Sequence, residues 1–190
     1  MAIVASSVPT MSLFFALLSI AAEVVVLVAL VLWIGCRFSP SLARVGASAR
    51  ESLEHSGLWL AWVVALTATL GSLYLSEVAR FVPCKLCWYQ RIAMYPLAVL
   101  LLVAAIKHRT EIARATLPLI AIGAAISTYH YLLERFPSMA GAATCDPAAP
   151  CTIVWIWRFH YLSIPAMALS GFLLIATLIL ATPREHPTEE

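Results

Sequence analysis

PCKLCWYQRIAMYPLAVLLLVAAIK, residues 83–107, sets two cysteines at CxxC spacing against an apolar run that stops only at Lys107. The run over 88–106 approaches the roughly 20 residues a helix needs to cross a hydrocarbon core. It lacks the alternating polarity of a barrel strand, so the spanning backbone must be helical. The rest of the chain agrees. Of its 190 residues 62% are hydrophobic and 12% charged, with a mean hydropathy of +0.91. A soluble domain is about 45–50% apolar and about 25% charged. An ordinary soluble enzyme is excluded, and the chain reads as an all-α integral membrane protein.

Four more runs have spanning length, over about 11–33, 58–78, 115–133 and 161–181. The first is broken only by Glu23. It has no basic leader and ends in WIGCRFSP rather than at small residues, so it is expected to be a retained helix and not a secretory signal. Pro118 and Pro165 fall in first turns, where a missing N–H costs little, whereas Pro96 lies deep enough to kink its helix. Residues 36–56 read as a linker, with a short amphipathic helix near 41–54 and charges on a solvated face. The tail PREHPTEE reads as a solvated end with no site.

Lysine and arginine near the helix ends set the expected orientation. Arg37, Arg44, Arg50, Lys107, Arg109, Arg114 and Arg184 share one side; Arg80, Lys85, Arg91, Arg135 and Arg158 share the other. The bias predicts a multi-pass protein with its N-terminus outside and its C-terminus inside. Independently of charge, segments 79–87 and 134–160 are separated by two spans and must emerge on the same face. Cys84, Cys87, Cys145 and Cys151 therefore lie together, on the side where disulfides persist, while Cys36 lies on the other, where thiols stay reduced.

Pro83 stops the preceding chain, which puts the CxxC in the first turn of the third helix. Unpaired N–H groups and a partial positive charge at that end favour thiolate. Spacing i, i+3 puts both sulfurs on one face. Arg91, one turn beyond Cys87, is a costly cation at membrane depth, and it is expected to stabilise the Cys87 thiolate or an anionic acceptor beside it. Trp88 excludes the CxxCH of covalent haem attachment, but spacing alone does not separate a redox pair from a zinc site. Cys145 and Cys151 bracket a short Pro- and Ala-rich loop, and a disulfide across it would be exposed and labile. Trp155 and Trp157 place 152–161 in the headgroup layer, holding that loop down against the CxxC. His130 and His160 lie near the same end as proton-shuttle candidates. Glu77 is a candidate proton route or partner for Arg80; Glu23 and Cys36 have no partner legible in the sequence.

PCKLCWYQR, the following MYP, STYHYLLERFP and a late cysteine pair before a last helix together resemble the disulfide bond formation protein B family of bacterial membrane thiol oxidases, over about 57–182. The short CDPAAPC loop is most similar to the Gram-positive branch. The resemblance implies a four-helix transmembrane bundle, here with one extra N-terminal helix: 1–56 the extra helix and linker, 57–182 the oxidase core, 183–190 a short tail. It implies a thiol:quinone oxidoreductase that reoxidises a thioredoxin-fold, DsbA/BdbD-like partner outside the membrane and passes the electrons to ubiquinone or menaquinone, with no metal and no nucleic acid. Cys84 and Cys87 would be the quinone-proximal pair, with Cys87 nearest the ring and Arg91 assisting. Cys145 would form the mixed disulfide with the partner and Cys151 would resolve it. His130 is the further candidate for the quinone mouth. Vitamin K epoxide reductases also combine four cysteines with a quinone, but there the CxxC follows the loop pair. The competing readings are a membrane protein with structural disulfides and a metal or haem carrier.

Overall fold

The computed structural model describes residues 2–139 and 149–183, with side chains from residue 8 onward. Five helical segments are long and apolar enough to span a membrane, and the described residues form no named strand. The chain is an all-α, multi-pass membrane protein. Helix α1 covers Ala2–Gly35, α2 Pro40–Leu73 with a wide π turn at Tyr74–Val78, α3 Lys85–Ile106, α4 Thr110–Ala115, α5 Leu117–Arg135 and α6 Ile164–Ala181.

Two boundaries differ from the sequence reading. Residues 40–56 are not a linker with a separate short helix but the first turns of α2, whose 34 residues at 1.5 Å each make a rod of about 51 Å, far longer than the roughly 30 Å hydrocarbon core. Pro40 occupies the first helical position, where its missing N–H costs nothing, and no proline follows to stop the helix. The fourth span starts as read, with Pro118 in the first turn of α5, but a separate short helix, α4, stands before it. Pro118 cannot donate to the carbonyl of Arg114, and its ring crowds that carbonyl. The helix therefore breaks at Thr116, whose hydroxyl caps Ala113 O at 2.6 Å. Arg114 donates across the break to Thr182 O at 3.0 Å, tying α4 to the end of α6.

Helices α2, α3, α5 and α6 close a four-helix ring, each packing on two neighbours, and α1 lies outside it against α6 and α2. Alanines at 61, 65, 93, 104 and 105 are buried at the contacts and let backbones approach, while Leu97, Leu101, Phe172, Ile175 and Ile179 fill the centre. Gly123 is needed where it stands: a Cβ there would collide with the Phe172 ring.

Segments 79–84, 136–139 and 149–163 meet at one end of the ring, and Cys36 lies at the opposite end, in the link between α1 and α2. Its thiol donates to Leu42 O at 3.5 Å. The tail expected over 183–190 lies outside the described residues after position 183.

Candidate functional site: a dithiol between a disulfide and a cavity

Cys84 is the N-cap of α3, with extended backbone, and its sulfur accepts the backbone N–H of Cys87 at 3.3 Å. A helix start leaves its first N–H groups without partners, and a side-chain acceptor at the cap satisfies one of them. The helix end therefore acts on Cys84, where the sequence reading gave it to the pair without distinction. The two sulfurs are free thiols 3.0 Å apart. His130 of α5 is 2% exposed, and its Nε2 lies 3.6 Å from Cys84 Sγ. The Cys87 thiol, the His130 ring and the Cys87 N–H together outweigh burial and hold Cys84 well below the ordinary thiol range, at about 4.

Cys84 faces inward. It is 6% exposed and packs with Leu86, Leu133 and Cys151 in one small apolar cluster. Cys151 is 1% exposed and disulfide-bonded; Cys145, expected as its mate, lies outside the described residues. Behind Cys84, Glu134 stands one turn from His130 and within electrostatic reach of Ser163, His130 and Cys84. His130 Nδ1, Glu134 Oε2 and Ser163 Oγ are buried without a hydrogen-bond partner among the described residues, the mark of groups that hold water or move protons.

Cys87, at the edge of the same cluster, also lines a cavity of about 300 Å³ bordered by α1, α2, α3, α6 and the loops beside the CxxC. Cys87, Gln90, Arg91 and Met94 reach it from one face of α3 at spacings of three and four. The remaining lining is mainly aliphatic and aromatic. Gln90 is buried and donates to Ser127 Oγ of α5 at 3.1 Å. Arg91 donates to Ser72 O of α2 at 3.0 Å and lies over the Trp88 ring at 5.2 Å. Ser72 O is open to that donor at the start of the widened turn, and it also receives Ser76 Oγ at 3.4 Å. π turns of this kind recur at functional sites.

Phe81 and Trp155 stack at 4.9 Å with 18° between their planes, and Arg135 covers Trp157 at 4.4 Å. These contacts hold the segment after Cys151 against the loop before the CxxC and the end of α5. The segment then reverses through Phe159 and His160, both left-handed, with Arg158 and Leu162 exchanging backbone bonds of 2.8 and 2.9 Å. Two consecutive left-handed residues other than glycine cost roughly 1–3 kcal/mol each.

The structure thus gathers Cys84, Cys87, Arg91, His130 and Cys151. His160 is exposed in the reverse turn and does not line the cavity. Glu77 is exposed and accepts from Ser76 Oγ at 3.1 Å; it makes no ion pair with Arg80. Gln90, Ser72, Glu134 and Ser163 had not been singled out from the sequence. Gln90 at i+3 from Cys87 and Glu134 at i+4 from His130 were within reach of a helical-face argument; Ser72 and Ser163 come from distant elements. Cys84, Cys87 and His130 also bring three potential metal-ligand atoms within 4.8 Å of one another.

The profile of the family described as disulfide bond formation protein DsbB matches residues 54–182. Disulfide bond formation protein C of Bacillus subtilis is 47% identical over 118 residues, covering 62% of this chain and 86% of the relative. Probable disulfide formation proteins of Oceanobacillus iheyensis and Deinococcus radiodurans are 46% and 43% identical, covering 68% and 69% of this chain and 90% of each relative. No solved structure matches the chain.

Proposed function

The chain belongs to the disulfide bond formation protein DsbB family, and from that premise we propose that it is a thiol:quinone oxidoreductase serving disulfide formation outside the membrane. One observation carries the reading: the CxxC stands between the disulfide-bonded Cys151, which packs against Cys84, and an apolar cavity, onto which Cys87 opens.

The partner is a reduced thioredoxin-fold oxidoreductase. Its thiolate attacks Cys145, releases Cys151 as the leaving sulfur, and departs as a disulfide once its second thiol has reacted. The reduced outer pair then attacks the oxidised inner pair, leaving Cys84 and Cys87 as the dithiol and the outer pair oxidised again. Cys84 is placed to exchange with the outer pair because it is a buried member of the cluster that holds Cys151. His130 receives its proton and Glu134 relays it, since their unpartnered atoms lie behind Cys84.

The cavity fits a quinone head. Its volume of about 300 Å³ falls in the range of small-molecule sites, as does an apolar lining with a few convergent polar groups. Gln90 and Arg91 would hold the ring oxygens, with Cys87 beside the ring. A ubiquinone or menaquinone held there would supply the acceptor for the two electrons and two protons that the dithiol gives up in closing to a disulfide. Arg91, fixed by Ser72 O, keeps further N–H donors on the cavity wall and orients the acceptor.

The test is quinone absorbance while the purified protein receives a reduced thioredoxin-fold dithiol. Turnover in the wild type that vanishes in Cys87→Ser supports the assignment; turnover at wild-type rate in the variant removes Cys87 from the acceptor side. The second reading, a soft-metal site at Cys84, Cys87 and His130, instead predicts stoichiometric zinc in the purified protein and no quinone reduction.

A further inference from the structure

Helix α1 precedes the matched family segment, which begins at residue 54, yet it is built into the cavity. Ser12, Phe15, Leu18, Ser19 and Ala22 line it from one side of α1, recurring at intervals of three and four residues. Phe15 packs so closely on Gly71 of α2 that a Cβ there would stand 2.8 Å from its ring. The hydroxyls of Ser12 and Ser19 donate to carbonyls of α1 itself, Pro9 O and Phe15 O, each at 2.9 Å, so the face they present is largely apolar.

Two polar attachments fix that face. Arg158, beside the left-handed turn at Phe159 and His160, donates to Ser12 Oγ at 2.8 and 3.2 Å and to Pro9 O at 2.9 Å. Eleven residues along α1, Glu23 accepts Tyr161 Oη at 2.7 Å and Ser170 Oγ of α6 at 2.8 Å. A carboxylate inside a spanning helix is costly and persists where it has a partner and a use. Together they join α1 to the segment that follows Cys151 and, through Ser170, to α6.

We propose that α1 is a wall of the acceptor cavity, latched by Glu23 and Arg158, which encloses the head of a lipid-soluble quinone that the four-helix ring alone would leave open toward lipid. The proposal rests on the quinone reading of the cavity. It makes Glu23, Tyr161 and Ser170 positioning residues for the acceptor, with no part in thiol exchange.

The experiment is photolabelling of the full-length protein in detergent with an azido-substituted quinone of short side chain, mapped by peptide mass spectrometry alongside steady-state turnover. The wild type is expected to carry label on the α1 peptide around Phe15 and Ser19 as well as on α3. Glu23→Leu removes both acceptors. It should shift the label away from α1 and raise the apparent KM for quinone roughly three- to tenfold with kcat retained, the scale of one or two interhelical hydrogen bonds. The double variant Tyr161→Phe with Ser170→Ala removes the donors without altering α1 and should act in the same direction; it serves as the test if the Glu23 variant does not fold. Glu23→Gln, which keeps one acceptor oxygen, should recover part of the affinity. Label confined to α2, α3 and α6 in an active wild type would overturn the wall and leave the oxidase reading standing. Label on α1 that neither latch variant disturbs would overturn the latch. A wild type that neither reduces quinone nor takes label would overturn the underlying reading and the wall with it.

Discussion

The two sulfurs of the CxxC are three residues apart and inhabit different surroundings. Cys84 is buried against Leu133 and Cys151, holds the helix N–H and faces His130. Cys87 opens on the cavity with Gln90 and Arg91. A helix N-terminus can hold one cap sulfur, and the fold spends that position on Cys84, leaving Cys87 to a cation one turn further on. Under the function proposed above, the difference gives the CxxC a direction: one sulfur serves thiol exchange, the other an acceptor.

The largest test breaks the symmetry of the pair. Replacing either cysteine by serine should lower quinone reduction by roughly a thousandfold or more, as expected when a group acting as part of a unit is lost. The two variants should differ in what accumulates. In Cys87→Ser, Cys84 can still exchange with the outer pair, so a disulfide between Cys84 and that pair should build up. In Cys84→Ser, Cys87 faces the cavity and the corresponding species should be scarce. Non-reducing peptide mapping reads this directly, and equal accumulation in both variants would abolish the proposed direction.

Arg91 sharpens the cavity side. Arg91→Leu removes the charge-assisted bond to Ser72 O along with the cavity cation. Quinone kcat/KM should fall roughly ten- to a hundredfold, the effect of about 1.5–3 kcal/mol. Exchange with the reduced partner, followed by quenched-flow alkylation, should change little. A comparable loss in both half-reactions would mean that Arg91 supports the fold rather than the acceptor.

The buried side has its own signature in pH. Cys84 is held at about 4, so its thiolate persists above that pH and is lost as pH falls through it. Rates of alkylation at Cys84 in the reduced protein should therefore stay level from about pH 8 down toward 5, where an ordinary thiol with pKa about 8.5 would slow tenfold per unit. In His130→Ala the midpoint should move up, because the ring's hydrogen bond and charge are lost. An unchanged profile would remove His130 from the control of Cys84.

Much of the fold was legible in the sequence, and the gaps have physical reasons. Span length and CxxC placement follow from local composition, so the five helices and the start of α3 are readable directly. The continuity of α2 was missed because polar composition over 40–56 looks like a linker, although no residue there stops a helix. The break at Thr116 depends on one missing N–H. Which sulfur takes the cap is a question of backbone conformation at one residue, and spacing cannot answer it. Glu23 illustrates the larger limit. Its partners lie 138 and 147 residues away, and α1 is apolar on all sides, so no periodicity marks the face that lines the cavity.

The smallest expected effect concerns the seam between the two sides. Trp155 stacks on Phe81 just before the CxxC and also lines the cavity, so it belongs to both regions. Trp155→Ala removes an aromatic pair worth about 0.5–1.5 kcal/mol beyond its area, and this should loosen the segment after Cys151 and the cavity mouth together. Partner exchange and quinone affinity should each change by roughly two- to tenfold, with the Cys84 alkylation profile unaltered because His130 and the helix end are untouched. Trp155→Phe keeps a ring to stack and should restore most of both. A variant that disturbs only quinone affinity would make Trp155 a cavity residue alone, and one that shifts the Cys84 profile would show that the buried side depends on the loop's closure.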